Sequence, residues 1–340
     1  MNKLNLNSYN FDLPTTSIAQ SAVTPRDHSK LLIYNRKTDT IKHEHFYNIL
    51  NYIPKNAIIV FNNTKVTPAR LFGKIDQKEV EILLTNPLGK NKQALVKPGK
   101  KFTLETEIKF PAGLTAKVTK INTDGSRELN FTPDLTLQYL HKYGELPLPP
   151  YIKTTYNQEV ANRYQTIYAQ TEGSIAAPTA GLHFTPELLD KLKQKFTVVN
   201  VTLNVGLGTF SPIRVESIDQ HEMHFETYSL TEEAAKALNQ AQKNQQPIIT
   251  VGTTSTRVLE AQLKDNDQFA AGTFSTDIFI YPGYKFKAIT GQITNFHLPK
   301  SSLFMLISAF LGTEKAKQIY QEAVDQQYRF YSFGDACLFL

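Results

Sequence analysis

Short segments in which apolar and polar residues alternate fill the chain between residues 71 and 131. Asp124 and Gly125 lie between two of these segments and favour a hairpin turn. Strands this short and this closely spaced, with little helical pattern among them, predict a small antiparallel β-barrel or sandwich. A period of two predicts strands at residues 80–84, 116–121 and 128–131.

Outside that region, strand patterns alternate with helix patterns. Ser229 begins the capping box S-L-T-E before a helix with Leu230, Ala234, Leu238 and Ala241 on one face. Such alternation predicts a largely parallel α/β core. The predicted strands of this part are residues 57–61, 196–205, 248–251 and 277–281. The strand at residues 248–251 leads into a helix through a turn at residues 252–257.

A proline-rich connector follows the β-rich region. Residues 144–151 contain Pro147, Pro149 and Pro150, a density that favours a stiff, extended segment. Because one α/β-type strand precedes the β-rich region, the α/β part is predicted to be discontinuous. We predict a major α/β domain of residues 1–69 and 151–340, with an inserted domain of residues 70–150.

The composition narrows the class of protein. The chain has 340 residues, of which 41% are hydrophobic, enough for a large core and two domains. Its single cysteine, Cys337, excludes internal disulfides and thiolate zinc sites and fits a reducing compartment. Residues 1–16 lack a signal-peptide pattern, and the apolar run of residues 303–311 is too short to span a bilayer. We expect a soluble, cytoplasmic protein without membrane association.

The charge is modestly basic, with a formal net charge of +6. Lys97, Lys100 and Lys101 belong to a lysine-rich stretch of the predicted insert. Such a patch can bind a phosphate backbone through counterion release. Surface lysines that only keep the insert soluble are the alternative interpretation.

Two polar segments lie where a predicted helix begins. Residues 171–185 are mostly small or polar, and His183 stands just before the helix start at Thr185 and Pro186. Free N–H groups at a helix start favour an anion, so this is either a ligand-binding loop or a tight structural loop. Thr253, Ser255 and Arg257 follow a strand and are candidates for binding a carboxylate or phosphate, or for simple capping. The lysine and spacing of an ATP-binding Walker loop are absent.

Histidines supply the candidate acid–base groups. His221, His224 and Glu226 fit acid–base chemistry or a polar cluster, and no metal is predicted because neither an HExxH motif nor a cysteine pair accompanies them. Asn295 and His297 follow a strand-like run, where ligands collect in parallel sheets, although a lone histidine is more often structural than catalytic.

Two further segments have weaker or ambiguous patterns. Residues 206–211 begin like a dinucleotide-binding fingerprint, but Ser211 stands where the last glycine belongs, so a tight turn is favoured. Residues 328–335 place four aromatic side chains around Arg329 and end in Asp335. They can stack on bases or close the core.

Taken together and in order, these segments resemble a known family along essentially the whole chain: the S-adenosylmethionine:tRNA ribosyltransferase-isomerases of queuosine biosynthesis. Asn204, Lys30 and Cys337 depart from the family pattern, which usually has histidine, arginine and methionine there. The matching segments are residues 11–14, 18–20, 26–27, 60–66, 68–70, 144–152, 164–169, 176–185, 206–210, 252–257, 276–284, 294–300 and 328–335, with His221 and His224.

The resemblance implies an enzyme that moves the ribosyl part of S-adenosylmethionine onto 7-aminomethyl-7-deazaguanine (preQ1) at the wobble position of tRNA. It also implies that the sugar is isomerised to give epoxyqueuosine, with release of adenine and methionine. The implied fold is a discontinuous, barrel-like α/β major domain with an inserted small antiparallel β-barrel. S-adenosylmethionine is then a cosubstrate, no metal or prosthetic group is needed, and a monomer is expected.

The implied chemistry needs a base near the sulfonium and a proton donor at the purine. The predicted catalytic residues are His183, His297 and Asp335, followed by His221, His224 and Glu226. The predicted RNA-binding residues are Lys97, Lys100, Lys101 and Arg329. The predicted substrate-binding residues are Arg26, Asp27, Asn62, Thr64, Arg70, Ala177, Pro178, Thr179, Gly181, Gly206, Thr253, Ser255, Arg257 and Asn295.

Two other functions fit parts of the sequence. A non-catalytic protein that binds structured RNA would use the basic insert, but it leaves the histidine and hydroxyl segments unexplained. A methyltransferase would use the same cosubstrate, but the chain lacks a glycine-rich strand–turn–helix near its start. The enzyme hypothesis requires the polar segments to converge on one cleft, with the lysine-bearing insert as part of its wall.

Overall fold

The computed structural model describes residues 3–149, 151–152, 156–206, 208, 213 and 215–340. Its helices are α1 (Leu137–Tyr143), α2 (Gln158–Arg163), α3 (Pro186–Lys195), α4 (Glu232–Lys243), α5 (Thr253–Asp265), α6 (Ser302–Leu311) and α7 (Thr313–Asp325). Its strands are β1 (Lys30–Asn35), β2 (Thr40–His45), β3 (Ile58–Asn62), β4 (Thr64–Val66), β5 (Arg70–Ile75), β6 (Lys78–Leu84), β7 (Lys92–Lys97), β8 (Glu107–Lys109), β9 (Thr115–Ile121), β10 (Arg127–Thr132), β11 (Thr171–Ser174), β12 (Thr197–Leu203), β13 (Glu226–Leu230), β14 (Ile248–Val251), β15 (Gly272–Thr276), β16 (Gly291–Asn295) and β17 (Ala336–Phe339).

The large sheet has nine strands in the order β15-β13-β12-β3-β14-β16-β17-β1-β2. Strands β12, β3, β14 and β16 are parallel neighbours, as are β17 and β1, whereas the other neighbours are antiparallel. The mixed α/β class is therefore confirmed, but the sheet is not largely parallel. The strand–helix alternation describes its centre, while β1–β2 is a hairpin and β17 returns along β16 in the opposite direction.

Strand β3 is buried on both faces of this sheet, which explains its continuous apolar sequence. Ile58 and Val60 pack into the core on one face, and Ile59 and Phe61 pack into the core on the other. Because successive side chains of a strand point to opposite faces, this one short strand contributes residues to two cores. Burial on both sides fixes the position of the neighbouring parallel strands, whose ends carry the candidate site.

The inserted region forms a closed antiparallel barrel in the order β10-β7-β6-β5-β8-β9. This confirms the barrel rather than the sandwich, and the three strands predicted within it correspond to β6, β9 and β10. The main chains of Arg70 and Glu145 exchange hydrogen bonds of 3.1 and 2.8 Å, which brings together the two ends of the insert. The domain boundaries at residues 69–70 and 150–151 stay predictions, and Pro150 lies outside the described residues.

Two local predictions were wrong. Ser229 does not cap a helix, because it lies in β13, paired with β12 and β15; the cap of α4 is Thr231, whose hydroxyl accepts the Ala234 N–H at 3.2 Å. Residues 277–281 are not a strand, since the strand of this region, β15, ends at Thr276. Their apolar alternation reflects burial of Ile278 and Ile280 rather than sheet pairing.

No helix among the described residues is long and apolar enough to cross a membrane.

Candidate active site

A small cavity lies at the carboxyl ends of the parallel strands β14 and β16. We call it the strand-end cavity. Ligands of α/β sheets bind at this edge, because several loops converge there. Gly252, with φ of 90°, makes the tight turn from β14 into α5 that brings Thr253 and Thr254 to the wall. The predicted site residues that line the cavity are Ala177, Pro178, Thr179, Thr253, Asn295 and His297.

Asn295 has a fixed orientation at the end of β16. Its side-chain nitrogen donates to the carbonyl of Tyr331 at 3.2 Å and lies 3.1 Å from Nε2 of His183. Because a carbonyl only accepts hydrogen bonds, the amide atom that faces Tyr331 is the nitrogen, and His183 Nε2 must be an acceptor. His183 therefore carries its proton on Nδ1, which lies 2.7 Å from the hydroxyl of Ser29.

His183 is buried and held neutral. Burial lowers its pKa to about 3, and the charges of Arg163, Arg329 and Arg26 act in the same direction. Both ring nitrogens are occupied by hydrogen bonds within the protein. This imidazole is thus built to orient Asn295.

His297 lines the strand-end cavity directly. Its Nε2 lies 3.0 Å from the hydroxyl of Thr294, and burial lowers its pKa to about 3, so the ring is neutral at neutral pH. Its main-chain N–H donates to the hydroxyl of Tyr320 at 3.3 Å, which fixes the backbone from which the ring projects.

Two polar atoms in this cavity have no hydrogen-bond partner among the described residues: Oδ1 of Asn295 and Oγ1 of Thr254. An unsatisfied buried acceptor costs free energy on the order of 1–3 kcal/mol, so such atoms at a cavity wall favour a ligand that supplies N–H or O–H donors.

A second small cavity adjoins the first, because Leu303 lines both. We call it the Glu226 cavity. Glu226 pairs there with Arg257, and both are buried. The carboxylate also accepts the N–H of Gly206 at 3.2 Å. His224 lines this cavity as well.

Asp335 lies outside both cavities, deep in the protein. Its two oxygens accept the main-chain N–H groups of Lys30 at 3.0 Å and of Arg329 at 2.8 Å. Asp335 thus ties strand β1 to the segment that follows α7.

Comparison with known proteins decides the family. The family model described as "Queuosine biosynthesis protein" matches residues 6–339. The chain belongs to this family. A protein of Staphylococcus haemolyticus named S-adenosylmethionine:tRNA ribosyltransferase-isomerase is 46% identical over 99% of this chain and 100% of its own length. A protein of the same name from Caldanaerobacter subterraneus subsp. tengcongensis is 48% identical over 97% of this chain and 98% of its own.

The fold agrees with a solved structure of the family. The crystal structure of the S-adenosylmethionine tRNA ribosyltransferase from Thermotoga maritima matches with a TM-score of 0.56 and 34% identity, over 98% of this chain and 100% of that one. The resemblance to this family and the combination of a mixed α/β sheet with an inserted barrel are thereby confirmed.

Several residues predicted from the family resemblance are held by internal hydrogen bonds. Asn62 bridges to the main chain of Leu203 at 3.1 and 3.0 Å, and Thr64 donates to Asn204 Oδ1 at 3.1 Å. Ser255 donates to the carbonyl of Val251 at 2.9 Å. The bonds of Asn62 join the ends of β3 and β12, and the bond of Ser255 ties the start of α5 to the end of β14. The binding of substrate by these residues stays a prediction.

The remaining predicted residues lie in three places. Asp27 accepts from the hydroxyl of Thr185 at 3.2 Å, and Gly181 packs against Tyr168 with no room for a side chain. Arg70 pairs with Glu81 at 2.7 Å on the barrel, which also carries the exposed Lys97 and Lys100 and the half-buried Lys101. His221 packs edge-on against Phe279. Burial lowers the pKa of His221, and the nearby His224 lowers it further.

The predicted single cleft is divided into adjoining cavities. His297 lines the strand-end cavity, Arg257 lines the Glu226 cavity, and His183 lies behind Asn295. The described residues around these cavities all belong to the α/β part, so the insert does not form the expected wall. Residues 207 and 209–211 of the glycine-rich segment lie outside the described residues. The described part of the chain contains no group of three potential metal ligands.

Ser29, Thr254 and Arg163 were missed from the sequence. Thr254 sits inside a recognised segment, and its place beside a glycine turn is the signal that could have found it. Ser29 and Arg163 carry no local signal, because their hydrogen bonds are with residues distant in the chain.

Proposed function

We propose that this protein transfers the ribosyl group of S-adenosylmethionine to the 7-aminomethyl-7-deazaguanine base at the tRNA wobble position and isomerises it to epoxyqueuosine. Adenine and methionine are the released products. Relatives carrying the name of this activity match the chain over nearly its full length. The observation that carries the proposal is the strand-end cavity, where Asn295, Thr254 and His297 bring unsatisfied acceptors and a neutral imidazole together.

In this proposal the strand-end cavity binds the nucleoside of S-adenosylmethionine. The small residues 177–181 allow the main chain to approach a flat ring. Oδ1 of Asn295 is free to accept an N–H of the purine, and Oγ1 of Thr254 is free to bond to a ribose hydroxyl. His183 acts as a positioning residue, because its acceptor nitrogen holds the nitrogen side of the Asn295 amide away from the ligand.

We assign the proton transfers to His297. A neutral imidazole is the form that can remove the proton from C5′ of the ribosyl group, whose electron pair stays on carbon and is stabilised by the adjacent sulfonium. The imidazolium formed in this step holds the proton that adenine needs, and can return it as the glycosidic bond breaks. His221, His224 and Glu226 line or flank the neighbouring cavity and are the second choice.

The direct experiment mixes the purified protein with S-adenosylmethionine and tRNA bearing the precursor base. Adenine and methionine should appear in equal amounts, together with epoxyqueuosine in the tRNA. S-adenosylhomocysteine as the product would indicate a methyltransferase, and tRNA binding without adenine release would indicate a non-catalytic RNA-binding protein.

His297→Gln tests the assignment of the base. We expect single-turnover adenine release to fall by about 100-fold or more, the usual effect of losing a general acid–base group. The matched control is His45→Gln, because His45 is exposed on strand β2. A wild-type rate in His297→Gln would remove this residue from the mechanism.

We further propose that the protein acts in the cytoplasm as a monomer, with S-adenosylmethionine as cosubstrate and without a prosthetic group. Sedimentation of the protein with and without tRNA tests the monomer. An absorption spectrum and metal analysis of the active protein test for a bound group.

A further inference from the structure

Three arginines from distant parts of the chain meet beside the candidate active site. Arg26 lies before β1, Arg163 ends α2, and Arg329 follows α7. All three line a small cavity, which we call the arginine cavity. Its described lining residues include no carboxylate.

The arginine cavity adjoins the active site on one side and open space on the other. Ser332 lines both it and the strand-end cavity, and His183 forms part of its wall. Arg26 and Arg163 also line a wider and more open groove. A group bound at the arginines would therefore sit between an open groove and the proposed nucleoside site.

Main-chain carbonyls hold the guanidinium groups in place without neutralising them. Arg26 donates to the carbonyls of Gln165 and Asn162, both at 3.0 Å. Arg163 donates to the carbonyls of Leu182 and Val23, both at 3.1 Å. These bonds orient the guanidinium groups before any ligand arrives, which lowers the ordering cost of binding.

The positive charge of the arginine cavity exceeds the negative charge. Asp335, at 3.4 Å from Arg329, is the carboxylate paired with these arginines among the described residues. Burial lowers the pKa of Arg163 to about 9, and the charges of Arg26 and Arg329 act in the same direction. Nε of Arg163 is buried without a hydrogen-bond partner in the described part of the chain. An anion would relieve both the repulsion and the missing bond.

We propose that the arginine cavity binds a phosphate of the tRNA backbone close to the nucleotide that is modified. Guanidinium groups match phosphate oxygens with paired hydrogen bonds, and three of them surround this point. The open groove has room for the chain to continue, which favours a polymer phosphate over the methionine carboxylate of the cosubstrate. This inference rests on the proposed tRNA substrate.

The first test is Arg163→Gln, with Arg163→Lys to keep the charge but lose the planar fork. We expect the Kd for tRNA to rise about 10-fold in Arg163→Gln, and the log–log salt slope to become less steep by about 0.7, the value for one neutralised phosphate on a single strand. The KM for S-adenosylmethionine should not change. Lys236→Gln on the exposed face of α4 is the matched control, since it removes one charge outside the lining of these cavities.

The outcomes separate this site from the proposed function. Wild-type protein that binds no tRNA refutes the proposed function itself. Wild-type adenine release with an unchanged Kd and salt slope in Arg163→Gln overturns the phosphate site alone. A raised KM for S-adenosylmethionine with unchanged tRNA affinity also overturns it, since the anion would then be the carboxylate.

Arg163 also supports the main chain, so its replacement can disturb folding. A second test therefore uses the wild-type protein. Anticodon stem-loops carrying one neutral methylphosphonate at successive positions are bound to wild-type protein. One position near the wobble nucleotide should weaken binding about 10-fold, and Arg163→Gln, where it folds, should be insensitive to that position. Equal binding of every substituted stem-loop to wild-type protein would overturn the proposal.

Discussion

The buried pair of Glu226 and Arg257 offers a quantitative test of how much this ion pair stabilises the region around the Glu226 cavity. The side chains are 4% and 7% exposed, so the solvent screening that weakens surface pairs does not apply. Removing one partner of such a pair leaves an uncompensated buried charge and costs about 3–5 kcal/mol. Glu226→Gln keeps the size of the side chain and an acceptor for Gly206, so its effect isolates the charge.

The double variant Glu226→Gln, Arg257→Met removes both charges and should be less destabilised than the sum of the two single variants by about 3 kcal/mol. Urea unfolding followed by circular dichroism measures all four proteins, which suits a chain without tryptophan. Glu105→Gln is the control, because Glu105 pairs with Lys117 at the exposed surface of the barrel and should change stability by less than about 1 kcal/mol. Additive effects, or a cost below about 1 kcal/mol for Glu226→Gln, would refute this reasoning.

Individual side chains support three further predictions. His183 and His297 have pKa values of about 3 in the folded protein and near 6.5 in the unfolded chain. Between these pH values the unfolded chain binds more protons than the folded protein. The free energy of unfolding should therefore be highest above pH 6.5 and fall by up to about 1.4 kcal/mol per pH unit for each histidine as the pH drops. Urea midpoints between pH 7 and 4 measure this, and a flat profile contradicts it. Thr185→Ala should cost about 1 kcal/mol in urea unfolding, since the hydroxyl caps α3 through the Leu188 N–H at 3.2 Å; Thr185→Ser should restore it. Replacing Lys100 and Lys101 by Gln should make the salt slope of tRNA binding less steep by about 0.9 for each phosphate that these lysines neutralise, and an unchanged slope would remove them from the RNA interface.

The predictions from sequence succeeded where a local pattern is also a local structure. The alternation of apolar and polar residues around Ile82 and Val118 is sufficient to predict barrel strands. Residues two positions apart in a strand lie on the same face, so the apolar ones form the barrel core. Thr185 and Pro186 predicted the start of α3 for the same reason. Ser229 failed because tertiary pairing with β12 and β15 outweighed a capping signal of about 1 kcal/mol.

The sequence also identified most of the polar segments around the strand-end cavity, yet it could not assign their atoms. Asn295 and Asp335 are both polar residues in recognised segments. Among the described residues, however, Oδ1 of Asn295 has no hydrogen-bond partner, whereas both oxygens of Asp335 accept main-chain N–H groups. Hydrogen-bond satisfaction depends on partners brought from distant segments, and no local pattern encodes it.

By itself, the amino-acid sequence determined the family, the class of fold and the order of the polar segments, because these depend on residue identity and short-range periodicity. The tertiary structure alone decided that His183 hydrogen-bonds to Asn295, that Glu226 pairs with Arg257, and that Arg26, Arg163 and Arg329 meet. The physical reason is that charge balance and proton placement depend on distances between atoms, and folding sets those distances across the whole chain.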